Sequence, residues 1–295
     1  GVMDSASESA VPVAACNYSS RQFFSGRIMN MVDRGIPVLD GITPMLQAFA
    51  HAFRFRDRII DSAPSDAGFP NSVLRSLDDA LDSFPAGDES ASLELLGLAG
   101  IPTIQSYSAE DEGTLREVAE RVDSAGQWPV VLKTAQGHGH KSELGGVATN
   151  IHSTDILIDR YRVMSGKLGP TVLIQPTARG TELALGIVNN PDYGPVLMIS
   201  SGGLLVEKAR DRSFVLCPVL SHEYNIALDE LDCAPLFEGY RNQPALDRPG
   251  LESIIVRLSN LALATQDKVQ SIDINPLMVS PSGCIAVDAL IELKS

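Results

Sequence analysis

A lysine, a histidine and a set of oxygen-bearing side chains carry most of the chemistry this sequence could perform. Lys133 ends the apolar run Val130, Val131, Leu132 within PVVLKTAQGHGHKSELGGVATN, residues 129–150. Such a run predicts a short buried strand that delivers the lysine to its carboxyl end. Gly137, Gly139, Gly145 and Gly146 leave the following loop free to fold closely over a ligand. A fixed ammonium beside open backbone N–H groups is a common way to hold a polyphosphate. His140, in the same loop, could accept or pass on a phosphoryl group. Taken alone, the stretch would equally suit a β-hairpin with a solvated lysine.

The C-terminal third supplies acids. Asp273 and Asn275 in SIDINPL lie two apart on an expected strand and therefore on one face. Asp288 in IAVDALIEL comes up on the next strand, after a turn at Pro281 to Gly283. Magnesium takes hard oxygen ligands and is often shared between one or two carboxylates and the phosphates of a nucleotide, which these three side chains could provide. The plainer alternative is two solvated strand ends. Glu182 follows Gly180 at the mouth of an apolar strand, where it could grip a ribose hydroxyl or a loop backbone. Glu207 follows Gly202 and Gly203, whose missing side chains permit a ligand or another backbone to approach. A surface strand end accounts for either acid as well as a site role does. His51, His138, His152 and His222 pair with nothing in the sequence and are read as surface or core residues, and Trp128 as a packing residue that anchors the strand at Val130.

The elements that must position these groups come from a 295-residue chain with 44% hydrophobic content, enough for more than one domain. A net charge of -14 argues against nucleic acid bound through a basic face. The four cysteines are scattered without a C-x-x-C pair, so neither a zinc site nor a disulfide framework is expected, and a reducing cytoplasm fits best. No run approaches the roughly 20 apolar residues that span a bilayer, and no membrane association is expected. The first residues, GVMDSASESAVP, lack a basic region followed by an apolar one, and they suggest a chain cut from a longer one.

Residues 11–15 read as a strand, 21–34 as a helix, 36–39 as a strand and 43–56 as a helix. This β-α-β-α segment makes parallel sheet but is too short to close its own core. A linker rich in Pro, Ser and Gly follows at 57–70, which places a boundary near residue 66. The pattern restarts with a helix at 89–98, a strand after Pro102, a helix at 109–124 and the strand at Val130. A helix at 154–164 then precedes a run of antiparallel strands at 171–175, 181–188, 195–200, 204–207 and 213–216. A last helix at 249–265 leads to strands at 270–274 and 284–287. The fold class expected is therefore α/β followed by α+β.

Several of these segments together form a known pattern. VVLK, HKSELGGV, LIQPTARGTELALGIVNNPDYGPVLMISSGGLLVEKARDRSF, DINPL and AVDALIEL occur in the order found in the ATP-grasp domain of ADP-forming acyl-CoA synthetases, relatives of the succinyl-CoA synthetase β subunit. The resemblance runs from about Glu89 to the end. VPVAACN and RGIPVLDGITPMLQAF resemble the closing units of the flavodoxin-like CoA-ligase region that precedes ATP-grasp in fused members. Domains are accordingly expected at 1–66, the C-terminal part of such a CoA-ligase domain, and at 67–295, an ATP-grasp domain.

The resemblance implies ligation of a carboxylic acid to CoA with ATP and Mg2+, giving acyl-CoA, ADP and phosphate through an acyl phosphate and a phosphohistidine. Lys133 would hold the nucleotide phosphates, Gln175 and Pro176 would lie in the adenine-contacting segment, and Glu182 would face the nucleotide. Asn275 and Asp288 match the magnesium ligands, with Asp273 and Glu207 close by, and His140 matches a histidine that can be phosphorylated near the nucleotide. The CoA-binding domain would lie upstream or on another subunit, within an oligomer. One position departs from the pattern: where relatives carry arginine in SFRL, this chain has Val215, which would remove a basic residue from near the phosphates. The rival readings are an ATP-grasp ligase joining a carboxylate to an amine, and a nucleotide-sensing module without catalysis.

Overall fold

The computed structural model describes residues 13–17, 26–61, 68–135, 145–202, 211–241 and 243–294. The chain divides into two compact units, Gly1–Asp66 and Ala67–Ser295. In the first, strand β1 (Ala15–Asn17) pairs in parallel with β2 (Val38–Asp40), with helix α1 (Gly26–Asp33) between them and α2 (Ile42–Asp61) after them. The parallel pairing follows from the helical crossover, since a tight turn cannot return the chain in the same direction. Helix α2 continues through Asp61, into the stretch read as linker, because no proline or glycine interrupts the chain between Pro44 and Asp61. Ile28 and Ile36 are buried, whereas Met29, Val32, Leu46 and Phe53 stay exposed, as the shortness of the segment predicts.

The second unit is built on two sheets with separate cores. Helix α3 (Asn71–Asp82) and helix α4 (Glu89–Leu98) open it, followed by β3 (Tyr107–Ala109), α5 (Glu112–Ser124), β4 (Val130–Thr134), β5 (Val147–Ile151), α6 (Thr154–Leu168) and β6 (Val172–Pro176). Four strands make an antiparallel sheet in the order β3-β6-β4-β5. Its core is the apolar face of α5 and α6, with Leu115, Val122, Leu157 and Tyr161, packed on Val130, Leu132 and Ile174. Trp128 packs against this cluster as expected, and its indole N–H donates to Asp123 Oδ1 at 3.1 Å.

The second sheet contains β7 (Thr181–Asn190), β8 (Gly194–Ser201), β9 (Arg212–Leu216), β10 (Val269–Ser280), β11 (Gly283–Ala286) and β12 (Ala289–Leu293). Its order is β11-β10-β7-β8-β9, with β12 also paired to β10. Strand β10 is long enough to pair with β12 along its first half and β11 along its second. The larger core joins this sheet to α4, α7 (Ser221–Asp229) and α8 (Arg248–Ala264). Helices α3 and α7 and strand β12 were not expected from the sequence, and the expected strand after Pro102 is only an isolated bridge at Thr103. The expected strand at 204–207 lies outside the described residues. Among the described residues no helix is long and apolar enough to cross a membrane.

Candidate functional site

Lys133 lies on β4 and is buried, 6% exposed. A buried ammonium needs compensating acceptors, and three surround it. Its Nζ donates to Glu89 Oε1 at 2.8 Å, to the Val287 carbonyl at 3.2 Å and to Asp288 Oδ2 at 3.4 Å. Glu89, itself 5% exposed, is in the first turn of α4, where the partial positive charge of the helix terminus favours a carboxylate. Asp88 caps that helix by accepting from the Ala91 N–H at 2.9 Å. The same Glu89 oxygen accepts from Gln175 Nε2 at 3.1 Å, and Gln175 belongs to β6. One carboxylate thus gathers two neighbouring strands of the smaller sheet, while Asp288 and Val287 reach the same ammonium from the larger one.

Asp288 is not on a strand: it stands in the link between β11 and β12, which corrects the expectation. The correction has a local cause. The register between β10 and β7 shifts between Ile274 and Leu277, and in that bulge the Asn275 N–H donates to the Asp288 carbonyl at 3.1 Å. The Val287 N–H donates to the Pro276 carbonyl at 3.0 Å. Asn275 and Asp288 are therefore neighbours through the backbone, and Asp288 is the one that meets Lys133. Asp273 and Asn275 are both exposed and alternate with buried Ile272 and Ile274, so they share a face as predicted. Asp273 reaches solvent yet has enough protein around it that partial desolvation raises its carboxyl above the usual range.

The described residues hold no group of three or more His, Cys, Asp and Glu side chains able to take a metal by themselves. Asn275 supplies an amide oxygen and Asp288 a carboxylate, so the donor set suits an ion that completes its shell with phosphate and water, the habit of magnesium. Gln175 Oε1 is buried without a hydrogen-bond partner because its amide nitrogen is turned to the Glu89 carboxylate. That orphaned acceptor is a place for a ligand N–H. Pro176 ends the same strand.

Glu182 is exposed near the start of β7, opposite Met278. No hydrogen bond or ion pair links it to Lys133 among the described residues. Gly202 serves a backbone rather than a ligand: its N–H donates to the Glu182 carbonyl at 2.7 Å, and a Cβ on it would lie 2.4 Å from the Glu182 carbonyl carbon. His140 and Glu207 lie outside the described residues, as does His138. His51, His152 and His222 are exposed. Asp211 accepts hydrogen bonds from the Ser201 hydroxyl and the Asp232 N–H.

The departure at Val215 has a geometric answer. Val215 lies across from Leu197, Leu197 from Ile187 and Ile187 from Ile272, and all four are buried. Asp273 belongs to the opposite row, with Gly186, Met198 and Phe214. A basic side chain at 215 would enter the apolar core and leave the Asp273 face unchanged. The cation on that face of β9 is Arg212, stacked 5.9 Å from the Phe214 ring. The sequence reading missed Arg212 and Glu89; strand alternation identifies the first, and no local signal identifies the second.

A sequence model described as an ATP-grasp domain matches residues 86–293. The chain is 30% identical over 287 residues to a trans-feruloyl-CoA synthase from an unknown prokaryotic organism, covering 89% of this chain and 39% of that protein. It is 29% identical over 206 residues to subunit beta of the ADP-forming acetate–CoA ligase I of Pyrococcus furiosus, covering 66% of this chain and 87% of that subunit. The ADP-forming acetate–CoA ligase I of Archaeoglobus fulgidus, 30% identical over 207 residues, is matched over only 30% of its length. Among solved structures, an acetyl-coenzyme A synthetase of Ca. Korarchaeum cryptofilum in complex with coenzyme A and Ca-AMPCP superposes with a TM-score of 0.65 at 25% identity, over 75% of this chain and 99% of that one. A complex of the same enzyme with coenzyme A and Mg-AMPPCP, whose phosphohistidine segment points towards the nucleotide site, gives 0.63 at 26% identity, over 75% of this chain and 100% of that one.

Proposed function

Because the chain belongs to the ATP-grasp family, we propose that it carries the nucleotide half-reaction of an ADP-forming acyl-CoA synthetase. The observation that carries this reading is the meeting of Lys133 with Asp288, 155 residues apart, at 3.4 Å within the family's own domain. Lys133 binds phosphate oxygens, and Asn275 and Asp288, with Asp273 beside them, hold Mg2+, which offsets charge on the transferred group when bound. Gln175 and Pro176 border the adenine, with the orphaned Gln175 oxygen as an acceptor, while Glu182 faces the nucleotide from β7.

His140 receives the phosphoryl group. An imidazole nitrogen attacks the γ-phosphorus, the bond from phosphorus to the bridging oxygen breaks, and ADP leaves with the electron pair. The phosphohistidine passes its phosphoryl group to a carboxylate, and CoA thiolate attacks the acyl phosphate to release phosphate. The acid and CoA sites belong to an upstream domain or a partner subunit, a division supported by relatives named as beta subunits. Residues 1–66, with their parallel β-α-β, are the closing part of a flavodoxin-like CoA-ligase domain.

The test is incubation of the chain with Mg2+ and γ-labelled ATP. Acid-labile label that is lost in His140→Ala is the expected result. Undiminished label in the variant, or none in either protein, would count against the assignment to His140.

A further inference from the structure

The ammonium of Lys133 has three protons to donate, and all three are spoken for by Glu89, the Val287 carbonyl and Asp288. If it is to hold a phosphate oxygen, one of these bonds must be given up. The three are not equivalent. Glu89 is the shortest, at 2.8 Å, and both side chains are shielded, at 7% and 3% exposure. Asp288 is the longest, at 3.4 Å, and its side chain is 34% exposed. The more exposed, longer bond costs less to exchange, because water and ions already compete there.

We propose that Glu89 is a positioning residue for phosphate recognition: it retains Lys133 while Asp288 is the partner Lys133 releases. This rests on the reading of Lys133 and Asp288 given above. Glu89 is suited to the task because it is fixed from three directions. Helix α4 is capped at Asp88, and its Ser92 hydroxyl accepts from the buried Ile291 N–H of β12 at 3.1 Å, tying the helix to the larger sheet. The Gln175 amide donates to the same Glu89 oxygen that accepts from Lys133, and also to the Ser106 hydroxyl at 3.4 Å, so rotation of the carboxylate would give up the shorter of the two bonds of a buried amide. Without the Glu89 charge, the carboxylate left within reach of Lys133 is Asp288, and the lysine would be drawn onto a group needed for the metal.

Glu89→Gln is the informative variant, since its amide oxygen can still accept from Gln175 and the side chain keeps its volume. Binding of ATP and of AMP to the 295-residue chain is measured by calorimetry across a series of Mg2+ concentrations, with Lys133→Met alongside. The expected result for Glu89→Gln is about tenfold weaker ATP binding with a raised Mg2+ requirement, while AMP binding changes by less than about twofold, the loss of one charge-assisted contact being of that order. Glu89→Asp recovers part of the ATP affinity. Equal weakening of ATP and AMP would make Glu89 a scaffold residue and overturn the proposal, as would ATP affinity or Mg2+ requirement left unchanged. Lys133→Met separates the two levels of inference. If it binds ATP as the parent does, the reading of Lys133 as a phosphate ligand falls first; if it loses ATP and Glu89→Gln does not, only the positioning role falls.

Discussion

Removing the Lys133 ammonium should give a stability loss that depends on pH with the slope of a single proton. Lys133→Met keeps the apolar stem but removes the cation from the Glu89 carboxylate, which is 5% exposed and accepts from the Gln175 amide. Breaking a buried pair from one side costs about 3–5 kcal/mol if the remaining charge stays ionised. The carboxyl has an alternative, which is to bind a proton. For a group that ordinarily titrates near 4.3, that costs about 3.7 kcal/mol at pH 7 and about 2.3 kcal/mol at pH 6, so below about pH 7 protonation is the cheaper route. The sign follows from proton counting. The folded variant then holds a proton that its unfolded form has released, so stability falls as pH rises, by about 1.4 kcal/mol per unit between about pH 5.5 and 7, relative to the parent chain. Trp128, the sole tryptophan, packs against the core of the sheet that carries Lys133 and reports its unfolding in urea. The double variant Glu89→Gln with Lys133→Met keeps only the more exposed Asp288 carboxyl at this place and should lose most of the slope. A pH-independent loss in Lys133→Met, or an equal slope in the double variant, would refute the reasoning.

Two further outcomes are expected. Gly202→Ala drives a Cβ to within 2.4 Å of the Glu182 backbone, which cannot yield as a side chain would, so the urea midpoint should fall by the equivalent of about 1–3 kcal/mol; an unchanged midpoint would contradict the close approach. The Cys284 thiol is pushed up to about 12 by burial, with the Asp247 carboxylate adding to the effect, so iodoacetamide at pH 8 should modify half-buried Cys16 in the native chain and reach Cys284 only in urea, as peptide mass spectrometry would show. Comparable native labelling of the two would be evidence against that burial.

Much of the fold was legible because alternation and capping are local. The run Val130 to Leu132, the antiparallel succession from β6 to β9 and the helix ending before Gly100 each declare themselves within a few residues. What was missed had competing signals or none. Helix α3 carries Val73, Leu74, Leu77 and Leu81 at helical spacing, but the Pro- and Gly-rich stretch before it ends only at Pro70. Strand β12 is short and follows β11 without a conspicuous turn, so ALIEL merged with the run before it. Glu89 is a different kind of omission. An acid in the first turn of a helix is usual for reasons of helix polarity alone, and its partner is 44 residues away; only packing converts it from a terminal acid into the counter-charge of Lys133.

Val215 shows the converse, a position whose significance the sequence overstated. Counted by motif, it is a lost cation beside phosphates and supports a module that binds nucleotide without turning it over. Counted by pleat, residues 213 and 215 point one way and 212, 214 and 216 the other, since period two admits no third choice. The burial of Ser213 and Val215, at 8% and 6%, against 60% exposure of Phe214 decides which way is inward. The row containing Asp273 ends at Phe214, and Arg212 stands one pleat along on the same face. The argument for a non-catalytic module drawn from Val215 therefore loses its premise: position 215 faces the core, and the face with Asp273 has a cation at its β9 edge.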